Sequence, residues 1–154
     1  MNRFNFEEVQ KKLVQSRREL LVLLSNQAQN YFAESFQKQG FNGEPWKEVK
    51  RRTPGTKSYK YPKSKGLQRR TSPILVGAGY KVRGGILRRA VSTMARTAQI
   101  STNRLRMVVD LPYAEYLNKG TEKMPRRQFV GQTEELTRMQ KELINRIITK
   151  IWQA

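Results

Sequence analysis

The chain of 154 residues contains no histidine and no cysteine. Without His there is no Ser-His-Asp or Cys-His relay and no imidazole metal ligand. Without Cys there is no disulfide framework and no thiolate metal site, a composition that fits a reducing compartment. Acids are scarce as well, 12 Asp and Glu against 31 Lys and Arg. No apolar run approaches the roughly 18–20 residues of a membrane helix. The longest, LLVLL at Leu20–Leu24, sits inside a helical pattern. The opening MNRFNFEE has no apolar signal core and no small-residue cleavage site. A soluble, unsecreted chain with no membrane partner is therefore expected. The length suits a single domain over 1–154.

What is abundant is positive charge, a formal net +19. A chain of that charge attracts polyanions: nucleic acid, acidic protein surfaces or anionic lipid. The excess is uneven. Between Pro45 and Ser92 stand 14 cations and one acid, Glu48, so that +13 of the +19 lies in under a third of the chain. This stretch is rich in Gly, Pro, Ser and Lys and has no apolar periodicity, which predicts an extended basic arm over 42–83 with Trp46 anchoring it to the core. Arg51, Arg52, Lys57, Lys60, Lys63, Lys65, Arg69 and Arg70 are the candidate contacts to nucleic acid or an acidic partner. Tyr59 and Tyr61 among the lysines offer rings for stacking. A linker that orders only on assembly has the same composition, and mobility of Pro45–Lys81 in the free protein is expected.

On either side of the arm the pattern is regular. Phe6, Val9, Leu13, Leu20, Leu24, Gln27, Ala28, Tyr31 and Phe32 recur at helical spacing, which predicts a helix from about Asn5 to Lys38 ended by Gly40. Asn5 with Glu7 and Glu8 marks its start. Ile86, Leu87, Ala90, Val91 and Met94 predict a short helix after Gly84–Gly85. Ala98 and Ile100, then Leu105, Met107 and Val109, alternate as two strands around Ser101-Thr102-Asn103. Leu136, Met139, Leu143, Ile144, Ile147, Ile148 and Ile151 form the apolar stripe of a last helix begun at Thr133. The fold class is α+β: a long N-terminal helix, the extended basic arm, a small antiparallel sheet and a C-terminal amphipathic helix.

One cluster remains, PYAEYLNKGTEKMPRRQ at Pro112–Gln128 followed by FVG. Tyr113, Ala114, Tyr116 and Leu117 suit an amphipathic turn, and Gly120 permits a positive φ where the chain reverses. Met124, Phe129 and Val130 are expected to return as an edge strand, with Pro125 placed where an N–H is not needed. Edges of this kind are hairpin core or a contact to a neighbouring subunit. Tyr113, Tyr116, Leu117, Gly120, Met124, Phe129 and Val130 are accordingly the candidate subunit interface. Asp110, Glu115 and Lys119 mimic a metal-nuclease set, but no spacing signature supports it. The chain is read as a non-enzyme without cofactors.

The order of these features resembles the phage virion morphogenesis, or tail completion, family, the neck proteins of long-tailed phages. FNGEPWKEVKRRT (Phe41–Thr53), GGILRRAV (Gly84–Val91), PYAEYLNKGT (Pro112–Thr121) and PRRQFVG (Pro125–Gly131) carry the resemblance, which spans roughly Phe41 to Ala154. Where the family commonly has a His in the Tyr-Ala turn, this chain has Leu117 and Asn118. The resemblance implies a structural virion protein, assembled in the host cytoplasm, that joins the tail to the head connector. It implies a homo-oligomeric ring, six copies by the symmetry of tail tubes. The implied partners are head-connector and tail-tube or tail-terminator proteins, and the arm could touch the end of the packaged DNA. The alternative reading is a free-standing, sequence-independent DNA-binding protein.

Overall fold

The computed structural model describes residues 5–61, 72–75 and 85–153. Helix α1 runs Phe6–Lys38, with the Asn5 side chain accepting from the Glu8 amide at 3.3 Å and Glu7 and Glu8 in the first turn. Side-chain cap and acids both meet the unsatisfied amides of the helix start, as the sequence predicts.

The end of α1 is decided one residue earlier than predicted. Gln39, not Gly40, takes the left-handed cap conformation at φ 52°, its amide donating to Ser35 O. A side chain there is disfavoured by sterics, but Gln39 is held by three further bonds of its own. Its Nε2 donates to Phe36 O at 2.6 Å, its Oε1 accepts from Ile74 N at 2.6 Å, and its carbonyl accepts from Trp46 N at 2.8 Å. Gly40 serves a different purpose: a Cβ there would stand 2.5 Å from Glu44 O. It lies in strand β1 (Gly40–Phe41), paired antiparallel with β2 (Glu44–Pro45) across Asn42-Gly43, both at positive φ. Asn-Gly is the strongest short hairpin signal a sequence carries, and here it opens a segment otherwise read as irregular.

The arm is also more built than expected. Pro45–Tyr61 contains a 3-10 turn, Lys50–Arg52, and the one-turn helix α2, Lys57–Lys60. Trp46 anchors it as predicted, buried against Phe36 with ring centroids 5.5 Å apart and planes at 79°. A second anchor is Ile74, 3% exposed. Backbone bonds fold Pro45–Tyr61 onto itself and onto the core. The rest of the span expected to be mobile, up to Lys81, falls largely on 62–71 and 76–81, outside the described residues.

Helix α3 (Ile86–Thr93) buries Leu87 and Val91 against α1. Strands β3 (Gln99–Ile100) and β4 (Leu105–Arg106) pair antiparallel, Ile100 opposite Leu105. Ala98, Ile100, Leu105, Met107 and Val109 are half-buried and their neighbours Gln99, Arg106, Val108 and Asp110 exposed, the predicted alternation. Helix α4 (Ala114–Lys119) follows, and α5 (Glu134–Gln153) closes the chain. Thr133 caps α5 through Oγ1, which accepts from Leu136 N at 3.1 Å. The fold is α+β with two separate two-stranded sheets.

The core lies at the C-terminal half of α1. Ala28, Phe32, Phe36, Phe41, Trp46, Ile74, Leu87, Val91, Met94, Ala114, Phe129 and Leu136 form one buried cluster. Each buried Phe contributes about 1.5–3 kcal/mol by removing apolar area from water. Helix α5 runs antiparallel to α1, with Gln27 Nε2 donating to Met139 O at 3.2 Å and Tyr31 OH to Glu135 Oε2 at 3.3 Å. Among the described residues no helix is long and apolar enough to cross a membrane.

Candidate functional sites: the basic arm, the Tyr113 to Val130 segment and the helical pair

The cations of the arm divide into two kinds. Arg51 is half-buried, and its Nη2 donates to Ser72 O at 3.0 Å and Pro73 O at 2.7 Å. It ties the first part of the arm to Ser72 and Pro73. Burial, with the nearby Arg52 and Arg127 adding to it, lowers its pKa. Arg52 meets Glu48 at 3.4 Å. Exposed pairs of this kind contribute about 0–1 kcal/mol. Lys57 and Lys60 differ: both are exposed on α2, next to Tyr61, which is 70% exposed. Thr56 fixes that turn, its Oγ1 accepting from Tyr59 N at 3.3 Å and donating to Thr53 O at 2.9 Å. As a contact surface for phosphates the described arm therefore offers Lys57, Lys60 and the neighbouring Lys50, whereas Arg51 holds backbone. Lys63, Lys65, Arg69 and Arg70 lie outside the described residues.

Pattern alone did not single out Arg127. It is 8% exposed, its Nε donating to Lys47 O at 3.1 Å and its amide to Leu117 O at 2.9 Å. Burial lowers its pKa, with Glu48 opposing. Arg127 thus ties the base of the arm to α4. Its position two residues before the buried Phe129 was the one available hint, because alternation puts both on the same side.

The Tyr113 to Val130 segment comes together, but not as an edge strand. Pairing is limited to a single bridge, Thr121 with Met124. Past it the amides of Phe129 and Val130 both donate to Asn118 Oδ1, at 2.9 and 3.1 Å, while Asn118 Nδ2 donates to Val130 O at 3.1 Å. One side chain takes the place of a neighbouring strand, so the expected unpaired edge does not form. Phe129 is 1% exposed and packs on Phe36 at 5.8 Å. It belongs to the chain's own core and cannot present itself to a neighbour. Tyr113, Leu117 and Val130 pack partly buried against that core. Gly120 is at φ 78°, as expected of the reversal, and a Cβ on it would meet Arg126 N at 2.8 Å. Of the candidate interface, Tyr116 is the large side chain that faces out, at 59% exposure. Glu115 bonds Lys119 at 2.6 Å. Among the described residues no group of three acidic side chains could hold a metal.

A third surface lies on the two long helices, which the sequence shows only as helical spacing and an apolar stripe. Above Ser25, α1 buries nothing completely, although it carries LLVLL. A helix apolar all round needs cover all round, and one facing helix covers one seam. Val14 is 66% exposed, and Val22, Leu23 and Ile148 are exposed too. Leu13, Val14 and Leu20 with Ile147, Ile148 and Ile151 line an open apolar groove of about 290 Å³ between the two helices.

A scan against protein-family models matched none, and neither the search of curated proteins nor that of solved structures found a match.

Proposed function

We propose that the chain is a structural component of a tailed-phage virion, a tail-completion or neck protein that joins the tail to the head connector as a ring of several copies. The observation that carries this reading is the ordered series of motifs, together with the bonds that join two of them. Trp46 of the Gly-x-x-Trp segment donates through Nε1 to Gln128 O of the PRRQFVG segment at 2.6 Å, across 82 positions. Arg127 of that segment reaches back to Lys47 O. Two of the four segments that carry the resemblance thus meet in space. The apolar groove between α1 and α5 adds support, since uncovered apolar surface of this kind suits a subunit better than a free-standing monomer. In this reading the exposed Lys57 and Lys60 face the genome end through phosphates, without reading sequence.

A sequence-independent DNA-binding protein is the second reading, favoured by the concentration of charge in the arm. Native mass spectrometry at about 0.15 M salt, with and without short duplex DNA, separates the two. Ring-sized species without DNA support the neck component. A monomer or dimer that binds DNA tightly and forms no larger species supports the DNA-binding protein.

A further inference from the structure

Helix α1 carries two seams of three- and four-residue spacing. The first, Phe6, Val9, Leu13, Leu20, Leu24, Gln27 and Tyr31, runs beside α5, which it meets through the groove at one end and the Gln27–Met139 and Tyr31–Glu135 bonds at the other. The second runs Glu7, Lys11, Val14, Arg18, Leu21, Ser25, Ala28 and Phe32. Its steps of four and three residues keep the series on one face of the helix. Ser25, Ala28 and Phe32 are buried. From Leu21 back to Glu7 the same face is half-buried and then fully exposed. The face continues past the core, and from Arg18 to Glu7 it is exposed.

The order of charges along the exposed part says what would fit. Reversing the direction of the helix about a point between Lys12 and Leu13 places Glu7 opposite Arg18 and Lys11 opposite Val14, while Glu8 pairs with Lys12 of its own helix at 3.1 Å. A second copy laid antiparallel on the first therefore matches acid to base at both ends, and the aliphatic stems of Lys11 cover Val14. A parallel, in-register copy would set Glu7 on Glu7, Lys11 on Lys11 and Arg18 on Arg18, and like charges facing each other are repulsive. Phosphates would meet Glu7 and Glu8. The acid–base order is thus self-complementary in one direction only, the condition for a two-fold contact.

Overall charge does not forbid such a contact. The base of the arm packs at Phe36, some 22 residues along α1 from Val14, or about 33 Å at the helical rise. That is several Debye lengths at physiological salt, so the two arms scarcely repel. The open groove lies directly beside Val14, so Ile147, Ile148 and Ile151 flank the incoming helix.

We infer that the second seam of α1, from Glu7 to Leu21, is the docking face for a second copy of this chain, laid antiparallel so that α1 and α5 of each copy form a four-helix bundle. This contact is separate from the ring reading and stands or falls independently.

Sedimentation analysis of the full chain at about 0.15 M salt tests it. The wild type is expected to populate a species of twice the 18.0 kDa chain mass, or an assembly built of such pairs. Arg18→Glu and Glu7→Arg each turn two attractions into two repulsions and are expected to weaken the pair about tenfold or more. Arg18 is exposed in mid-helix, so circular dichroism of Arg18→Glu should show unchanged helix content, whereas Glu7→Arg also loses an acid of the first turn. Mixing the two variants, or combining them in one chain, restores both acid–base contacts and should restore the pair. A wild type that stays monomeric at all concentrations overturns the inference. So does an assembly, ring-sized or otherwise, that is indifferent to both reversals, or one that neither mixing nor the double variant restores.

Discussion

Trp46 donates its indole N–H to the carbonyl of Gln128 at 2.6 Å while its ring packs edge-on against Phe36. One side chain thus fastens the base of the basic arm to α1 and to the segment leading into α5. Trp46→Phe keeps most of the apolar contact but leaves the Gln128 carbonyl without its donor, and should cost about 1–3 kcal/mol. Trp46→Ala should cost about 3–5 kcal/mol. Urea unfolding measures both, and a Trp46→Phe variant as stable as the wild type would show that the hydrogen bond contributes nothing beyond packing.

Asn118 replaces a strand with three hydrogen bonds to Phe129 and Val130. Asn118→Ala should lower stability by about 2–3 kcal/mol, because two amides lose their acceptor where water reaches them poorly. Asn118→Asp retains the acceptor and loses only the donor, so it should lose less in the same unfolding experiment. If the aspartate variant is the weaker of the two, the amide bonds are not what holds the segment.

Lys57 and Lys60 are exposed, whereas Arg51 is committed to the carbonyls of Ser72 and Pro73. Reversing Lys57 and Lys60 to Glu should weaken binding to duplex DNA and flatten the log–log salt dependence by about 2. Arg51→Lys keeps the charge but loses the fork that reaches two carbonyls. It should lower stability by about 1–2 kcal/mol with little change in DNA affinity. Titration of fluorescent duplex across a salt series, beside melting curves, separates the two effects.

Stability should be flat in pH across the neutral range, since the chain has no His or Cys. The Lys119 hydrogen bond lowers the pKa of Glu115, so its stabilisation is present above the unfolded carboxylate value and is lost as pH falls through the folded one. Glu34 raises the pKa of Lys38, and Glu115 that of Lys119, so their stabilisation is present below the ordinary 10.5 and is lost as pH rises beyond it. All three groups are fully exposed, so both declines should be shallow. Melting temperatures from about pH 3 to 11 should show a plateau from about 5 to 10. A midpoint near pH 7 would contradict it.

The helices were legible because their signals are local. Asn5 with Glu7 and Glu8, the apolar spacing of α3 and α5, and Thr133 each act within a few residues, and the structure keeps them. The alternation of Ala98 to Val109 was legible for the same reason. Gly40 was misplaced as the terminator because a glycine can serve a cap or a close approach, and only the position of Glu44 O decides between them. Asn42-Gly43 was a readable hairpin signal hidden by the polar composition around it. Ile74 was passed over because a lone apolar group in a basic stretch has no periodicity to announce it.

The amino-acid sequence by itself determined the order of α1, α3, the β3–β4 pair and α5, the α+β class, the placement of charge in the arm and the anchoring of Trp46. These follow from propensity, spacing and composition, which act along the chain. Only the tertiary structure decided that Arg51 and Arg127 hold backbone, that Asn118 substitutes for a strand, that Phe129 lies in the core and that the upper seam of α1 stays exposed. Each of those depends on groups tens of residues apart meeting within hydrogen-bonding or van der Waals distance, or failing to meet, and no local pattern encodes that.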